Sequence, residues 1–115
     1  MKILVVEDDL SLRKYMNLAL TGLGAEVLEA DDWHSTMNAI DGHHIDGAFL
    51  DLVLQRGSGL DIARHLVEMN IPVVFTSGVS DEYNLSQMHE LGWVLSKPVR
   101  VTGLKRALAM FGGVR

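Results

Sequence analysis

The chain has 115 residues, of which 48% are hydrophobic and none is cysteine, and its formal net charge at pH 7 is −5. This length supports one domain with its own core, and the absence of cysteine excludes disulfides and thiolate metal sites. The negative charge argues against nonspecific nucleic-acid binding over the whole surface. No apolar run approaches the roughly 20 residues that span a bilayer, and no signal peptide is visible. We therefore expect a cytoplasmic protein with no membrane association and no direct nucleic-acid contact.

Short apolar segments alternate along the chain with amphipathic segments. The short segments are rich in β-branched and other apolar residues, which predicts buried strands at residues 2–6, 26–30, 48–54, 72–75 and 93–95. Apolar residues recur at helical spacing between and after them. The expected helix starts are the N-caps Ser11, Asp31 or Asp32, Ser58 and Asp81, and the segment that begins at Thr102. The expected helix ends are Gly22 and Gly24 for the first helix, Gly42 for the second, and Asn70, Leu91 and Phe111 for the others.

This strict alternation of strand and helix predicts an α/β fold of five (βα) units. Such a pattern forms a five-stranded, doubly wound parallel sheet with helices on both faces, in three α/β/α layers. By analogy with other doubly wound sheets, such as that of flavodoxin, we expect the strand order 2-1-3-4-5. In these sheets, ligands bind at the carboxyl ends of the strands, so we expect a functional site there.

A single carboxylate, Asp51, interrupts the apolar run at residues 48–54. Burying a lone carboxylate in a strand costs several kcal/mol unless a partner, a cation or chemistry compensates. Taken alone, Asp51 is as compatible with a structural role at a strand end as with a functional one. The other strand ends decide between these interpretations.

Polar and charged residues end four of the five predicted strands. Glu7 and Asp8 follow the first strand, Asp51 belongs to the third, Ser77 lies in the polar turn after the fourth, and Lys97 follows the fifth. Close carboxylates repel one another, and a hard divalent cation relieves the repulsion; oxygen ligands without His or Cys favour Mg²⁺. A cation held in this way accepts phosphate oxygens, which indicates Asp51 as a nucleophile that forms an aspartyl phosphate.

These residues belong to motifs that resemble the receiver domain of two-component response regulators. The motifs are the acidic cluster in VVEDD, the Asp-x₇-Gly spacing from Asp51 to Gly59, the pair Ser77-Gly78, and SKP at residues 96–98. They occur in the order typical of the family, and the resemblance covers essentially the whole chain, so we expect residues 1–115 to form one receiver domain.

The resemblance implies a role for each matching residue. Asp51 would be the phosphoacceptor, Ser77 the switch hydroxyl and Lys97 the phosphate contact. The Mg²⁺ ligands would be Glu7, Asp8, Asp51 and the backbone carbonyl of Val53, with Asp9 outside the set. The Lys97-Pro98 bond is expected to be cis. The family's activity is that of a phosphoacceptor signalling domain and not of an enzyme with turnover.

The expected function is that of a stand-alone response regulator. A histidine kinase or histidine phosphotransfer protein would donate the phosphoryl group. The output would pass to a protein target through the face made by the fourth helix, the fifth strand and the fifth helix. Two alternatives remain open: a phosphorylation-independent adaptor, and a receiver fragment of a larger regulator or hybrid kinase. A flavin domain is disfavoured because acidic residues follow the first strand, and a phosphatase because Val53 stands where it would carry a second acid.

The chain departs from the family pattern in three places. Gln55 replaces the usual proline, and Val99 follows Pro98 where phenylalanine is commoner. The segment before Lys97 is about two residues shorter than is common in the family. The position of the family's switch aromatic is therefore occupied by Val94, and Trp93 is one place away. The sequence leaves open which of these two residues serves in the switch.

Two further features of the sequence concern the lifetime of the aspartyl phosphate and the distribution of positive charge. Val53 and Val79 cannot position water, so we expect slow self-dephosphorylation. Five of the ten Lys and Arg residues fall in the last nineteen positions. They form either a solvated helix face or a docking patch.

Overall fold

The computed structural model describes residues 1–54, 58–78 and 85–112. Five strands and five helices alternate strictly, as predicted. In chain order they are β1 (Lys2–Val6), α1 (Leu10–Gly22), β2 (Glu26–Ala30), α2 (Trp33–Ile40), β3 (Gly47–Asp51), α3 (Gly59–Glu68), β4 (Val73–Ser77), α4 (Leu85–Leu91), β5 (Trp93–Ser96) and α5 (Val101–Gly112).

The strands form one parallel sheet in the order β2-β1-β3-β4-β5, which confirms the predicted topology. Val6 is aligned with Leu50, Asp51 with Thr76, and Ser77 with Ser96. This register brings the last residues of β1, β3, β4 and β5 to one edge of the sheet. All five residues of β3 are buried, as expected for a central strand covered on both faces.

Two apolar cores lie on opposite faces of the sheet, because successive strand residues point to opposite sides. Leu4 and Val6 of β1 belong to the core that α2, α3 and α4 cover. Ile3 and Val5 belong to the core that α1 and α5 cover. The three-layer α/β/α arrangement is therefore confirmed.

Two of the helix caps predicted from the sequence are confirmed and one is wrong. Asp32 caps α2 by accepting a hydrogen bond from the Ser35 N–H, and Ser58 caps α3 by accepting one from the Leu60 N–H. Ser11 lies inside the first turn of α1, and the cap is Asp9, whose carboxylate accepts a hydrogen bond from the Leu12 N–H at 3.2 Å. Several consecutive polar residues precede α1, and pattern alone could not select among them.

The ends of β3 and β4 differ from the prediction. β3 stops at Asp51, although the apolar run continues to residue 54. Leu52 and Leu54 still pack into the core, but they do so from the loop. β4 extends through Thr76 and Ser77, which were expected in a polar turn. The reason is pairing: Thr76 is aligned with both Asp51 and Leu95 in the ladder.

Several expectations lie outside the described residues. These are the proline replacement at Gln55, the apolar residue Val79 and the helix cap Asp81. Among the described helices, none is both long enough and apolar enough to cross a membrane. The Lys97-Pro98 peptide bond is cis, as predicted.

Candidate functional site

Three carboxylates meet at the carboxyl edge of the sheet. Glu7 and Asp8 directly follow β1, and Asp51 is the last residue of the neighbouring strand β3. Each residue offers one carboxylate oxygen to a cluster in which all three oxygens lie within 4.8 Å of one another. The convergence expected from strand ends alone is therefore present in the structure.

Lys97 provides the positive charge at this cluster. It follows β5, and its Nζ lies 3.3 Å from Asp51 Oδ2 and 3.6 Å from Glu7 Oε1. Partial burial opposes the charge on Lys97, but the carboxylates of Asp51 and Glu7 outweigh this effect and raise the pKa of the ammonium group. Lys97 is therefore charged at neutral pH and held against the acids.

Glu7 is the most buried member of the cluster, with only 1% of its surface exposed. One oxygen, Oε2, accepts a hydrogen bond from the Asp9 N–H at 3.0 Å. The other, Oε1, is buried and has no hydrogen-bond partner within the described ranges. Burial raises the pKa of Glu7 to about 7, and the nearby charge of Asp51 adds to this effect. The folded chain thus holds a carboxylate whose charge it does not fully compensate.

The turn after β1 separates the roles of the three consecutive acids. Asp8 is half-buried and contributes to the cluster, whereas Asp9 caps α1. Arg13 donates a hydrogen bond from Nη1 to the Glu7 carbonyl at 2.8 Å, which ties α1 to this turn. Sequence reasoning missed Arg13, because a basic residue in the second turn of a helix carries no signal that separates it from a solvated one.

The loop after β3 is built closely around the Asp51 carboxylate. Asp51 Oδ1 accepts a hydrogen bond from the Val53 N–H at 3.2 Å, and Gly59 donates from its N–H to the Leu52 carbonyl at 3.1 Å. A Cβ at position 59 would collide with the backbone carbonyls of Asp51 and Leu52. The glycine of the Asp-x₇-Gly spacing therefore allows the start of α3 to lie against the end of β3.

Ser77 lies near this cluster as the last residue of β4. It is buried, and it directly follows Thr76, the residue aligned with Asp51 in the ladder. Its hydroxyl donates a hydrogen bond to the Gly78 carbonyl at 3.2 Å. The Ser77 carbonyl in turn accepts the N–H of Lys97 at 2.8 Å, so these two residues are joined through the backbone.

Trp93 and Val94 lie on opposite faces of β5. Val94 is partly buried against the core under α4. Trp93 is 45% exposed and lines a groove between β5 and α5. The aromatic side chain is therefore on the α5 side of the strand, and the position three residues before Lys97 carries a small apolar side chain.

The donor set fits a hard divalent cation. It consists of carboxylate oxygens only, which suits Mg²⁺. Glu7 Oε1 gives independent support, because it is buried without a hydrogen-bond partner in the described part of the chain and a bound cation would satisfy it. The predicted ligands Glu7, Asp8 and Asp51 are thus together.

Comparison with known proteins identifies the family to which this site belongs. The sequence model for the response regulator receiver domain matches residues 3–109. The phosphate regulon transcriptional regulatory protein PhoB of Escherichia coli is 33% identical over 85 residues, which cover 70% of this chain and 37% of PhoB. The KDP operon transcriptional regulatory protein KdpE of the same organism is 30% identical over 109 residues, covering 92% of this chain and 48% of KdpE. The chain spans less than half of either relative.

Solved structures support the same assignment. A response regulator receiver domain protein from Clostridium thermocellum has a TM-score of 0.87 at 27% identity, covering 96% of this chain and 92% of that one. The receiver domain of NtrX from Brucella abortus has a TM-score of 0.87 at 25% identity, covering 97% and 99%. Mg²⁺ and aspartyl phosphate are typical of this family. The chain belongs to the response regulator receiver domain family of two-component systems.

Proposed function

We propose that this protein is a single-domain response regulator that accepts a phosphoryl group on Asp51. One observation carries the proposal: Asp51 lies in a cluster with Glu7 and Asp8 while its Oδ2 is 3.3 Å from the Lys97 ammonium group. Acids alone would repel an anionic phosphoryl group. Acids that hold a cation beside a fixed lysine would attract it.

Glu7, Asp8 and Asp51, with the backbone carbonyl of Val53, would hold Mg²⁺. When bound, the cation supplies positive charge next to the transferring phosphoryl oxygens. Glu7 is well suited to this set because its buried Oε1 lacks a hydrogen bond within the described part of the chain. The Val53 N–H holds Asp51 Oδ1 at 3.2 Å and so fixes the orientation of the acceptor carboxylate.

Asp51, Lys97 and Ser77 would have different roles in the transfer. A carboxylate oxygen of Asp51 attacks phosphorus, and the bond from phosphorus to the donor imidazole nitrogen breaks, leaving its electron pair on the imidazole. Lys97 stabilises the charge on the phosphoryl oxygens, because the neighbouring carboxylates of Asp51 and Glu7 keep it protonated in spite of its partial burial. Ser77 is the neutral hydroxyl at the next strand end and would donate a hydrogen bond to the same group.

The phosphoryl donor would be a histidine kinase or a histidine phosphotransfer protein. The signal would leave through a protein target on the face formed by α4, β5 and α5. The backbone hydrogen bond from Lys97 to Ser77 supports this route, since a shift of either residue toward the phosphoryl group moves the β4 and β5 ends together. Phosphorylation would shift the equilibrium between two conformations of this face that already interconvert. Such signalling would take place in the cytoplasm.

Phosphorylation-independent binding is a second candidate function. The observation that favours it is the arrangement of β5, where Trp93 lies on the α5 side and Val94 occupies the switch position. In that case the domain would bind its target equally well with or without a phosphoryl group on Asp51. A receiver segment within a longer regulator is also compatible with the greater length of PhoB and KdpE.

Labelling with acetyl phosphate tests the proposed chemistry. The wild-type protein should be labelled in the presence of Mg²⁺ and not after chelation. Asp51→Asn should abolish labelling, because the amide cannot act as the nucleophile. Asp61→Asn is the matched control, since Asp61 is an exposed carboxylate on α3 that forms an ion pair with Arg64 at the surface. Undiminished labelling of Asp51→Asn would overturn the assignment.

A further inference from the structure

The distribution of charge along the chain is strongly uneven. From Trp93 to the end, the sequence contains five Lys and Arg residues and no Asp or Glu. Because the whole chain carries −5, the first 92 residues carry −10. β5 and α5 are therefore a cationic element on an otherwise anionic domain.

These cations are available at the surface. Arg100 directly precedes α5, and Lys105 and Arg106 are exposed on it. Within the described ranges, none of the three forms an ion pair. By contrast, Arg13 and Lys14 on α1 are both engaged by Glu29. The α5 cations therefore do not serve an internal electrostatic role.

An apolar groove runs between β5 and α5, beside these cations. It encloses about 230 Å³, with Trp93 and Met110 on its walls and Arg106 at its rim. Trp93 and Met110 are both exposed large apolar side chains. A second hollow of about 390 Å³ adjoins it, shares Arg106, and is also lined by Lys97 and Arg100. The surface thus combines an apolar floor with a cationic rim.

Small residues on α5 form the floor of the groove. A Cβ at Gly103 would lie 2.7 Å from Leu95 Cδ1, so a larger residue there would require the Leu95 side chain to move. Ala107, one turn later, is buried and lines the same groove. The depression is therefore part of the packing of α5 on β5 and not a gap between mobile side chains.

We propose that this surface, defined by Trp93, Arg100, Arg106 and Met110, binds a partner-protein segment that carries acidic residues beside a large apolar side chain. The apolar side chain would enter the groove between β5 and α5. The acidic residues would pair with the exposed cations at its rim. This inference rests on the proposed use of the α4-β5-α5 face by a downstream protein, and it specifies the chemistry of that partner.

Other anionic occupants fit less well. A nucleic acid would meet the acidic remainder of the domain, which carries −10, and bases do not need an apolar groove of this size. A membrane would need a broad apolar helix face, yet Val101 and Met110 are the exposed large apolar residues on the described part of α5. A second copy could offer Asp31 and Asp32 beside Trp33, but both acids already accept hydrogen bonds from Ser35.

The location of the surface links it to the phosphoacceptor site. Lys97 lines the hollow beside the groove, and its Nζ is also 3.3 Å from Asp51 Oδ2. A change in the position of Lys97 would therefore alter the hollow directly. Binding of the acidic segment should differ between the unmodified protein and the beryllofluoride-treated protein.

Selection from short random peptides displayed on yeast tests the partner chemistry without a presumed ligand. Peptides enriched by the wild-type protein should carry an excess of Asp and Glu and at least one aromatic or large aliphatic residue. Arg106→Glu should weaken binding of an enriched peptide about tenfold, since the rim then repels its acids. The matched control is Arg64→Glu, which makes the same charge change on α3 and should alter binding by less than about twofold. Trp93→Ala should also weaken binding, through loss of the groove wall.

Several outcomes would overturn the inference. They are the absence of enrichment, enriched peptides without an acidic excess, and equal binding to Arg106→Glu at unchanged circular dichroism. Tighter binding to duplex DNA or to phosphatidylglycerol vesicles, or self-association that Arg106→Glu removes, would assign the surface to a different occupant. Acetyl phosphate labelling of the same samples separates the two proposals: its failure removes the phosphoacceptor function alone.

Discussion

Glu7 is a buried carboxylate that the isolated chain leaves partly uncompensated. Its Oε1 lacks a hydrogen-bond partner in the described structure, and Lys97 Nζ is 3.6 Å away. Burial raises its pKa from 4.5 to about 7, which means that ionisation costs folding free energy. A side chain that served only the stability of the fold would be uncharged at this position. The arrangement is understandable if a cation normally occupies the site.

Glu7→Gln should therefore stabilise the metal-free protein. A group whose folded pKa is raised contributes stability below its ordinary pKa and loses that contribution as the pH rises toward 7. At pH 8 in EDTA, the variant should be more stable than wild type by about 1–3 kcal/mol, and the difference should vanish near pH 4. Urea unfolding at the two pH values measures it.

The control for this prediction is Glu68→Gln, which removes an exposed carboxylate at the end of α3. It should leave both unfolding curves unchanged. Added Mg²⁺ should stabilise the wild type and not Glu7→Gln, because the cation binds only the folded state. A Glu7→Gln protein that is less stable than wild type at pH 8 in EDTA would contradict the account.

Val53 bears on the lifetime of the aspartyl phosphate. Its backbone N–H holds Asp51, while its side chain is 62% exposed and has no polar atom to position water. We expect slow hydrolysis in the wild type. Val53→Asn should leave the rate of phosphate loss unchanged or raise it, because an amide can orient water. A slower loss, followed by the decay of labelled protein, would show that water positioning at this residue does not limit hydrolysis.

At the scale of elements, Glu29 of β2 joins the edge of the sheet to α1. Its carboxylate accepts hydrogen bonds from Arg13 at 2.8 Å, Lys14 at 3.0 Å and Asn17 at 2.6 Å. Burial opposes ionisation of Glu29, but these three donors outweigh it and lower its pKa. Arg13 also holds the Glu7 carbonyl, so this network supports the turn that carries the site.

Glu29→Gln should destabilise the protein at pH 7 by about 1 kcal/mol, a typical size for a small network of this kind. A group with a lowered folded pKa stabilises the fold above its ordinary pKa of 4.5 and loses that effect as the pH falls through the lowered value. The difference between variant and wild type should therefore shrink in acid. Chemical unfolding at pH 7 and pH 3.5 checks this. Equal stability of the two proteins at pH 7 would refute it.

At the scale of the whole molecule, the sequence predicts the architecture well. Five apolar segments alternate with five amphipathic ones, and the handedness of parallel crossovers leaves few ways to arrange them. The same argument places Glu7, Asp51 and Lys97 at one edge, because parallel strands end together. The proximity of these residues follows from the fold once the strand order is known.

The remaining details depend on packing that the sequence does not display. Asp9 and not Ser11 caps α1, because the turn after β1 must also orient Glu7. β4 continues through Ser77 because pairing with β3 and β5 outweighs the turn preference of its last residues. The orientation of Trp93 depends on the register of β5, which a short segment of four residues does not reveal.

Reduction of the labelled protein with borohydride tests the central claim most directly. An aspartyl phosphate is an acyl phosphate, and borohydride converts it to homoserine, which marks the modified residue in a peptide mass spectrum. After treatment with acetyl phosphate and Mg²⁺, the account predicts homoserine at position 51 and at no other acid, with none after chelation. Homoserine at Asp8 or Asp9, or its absence from a protein that has taken up Mg²⁺, would contradict the assignment of Asp51 as the phosphoacceptor.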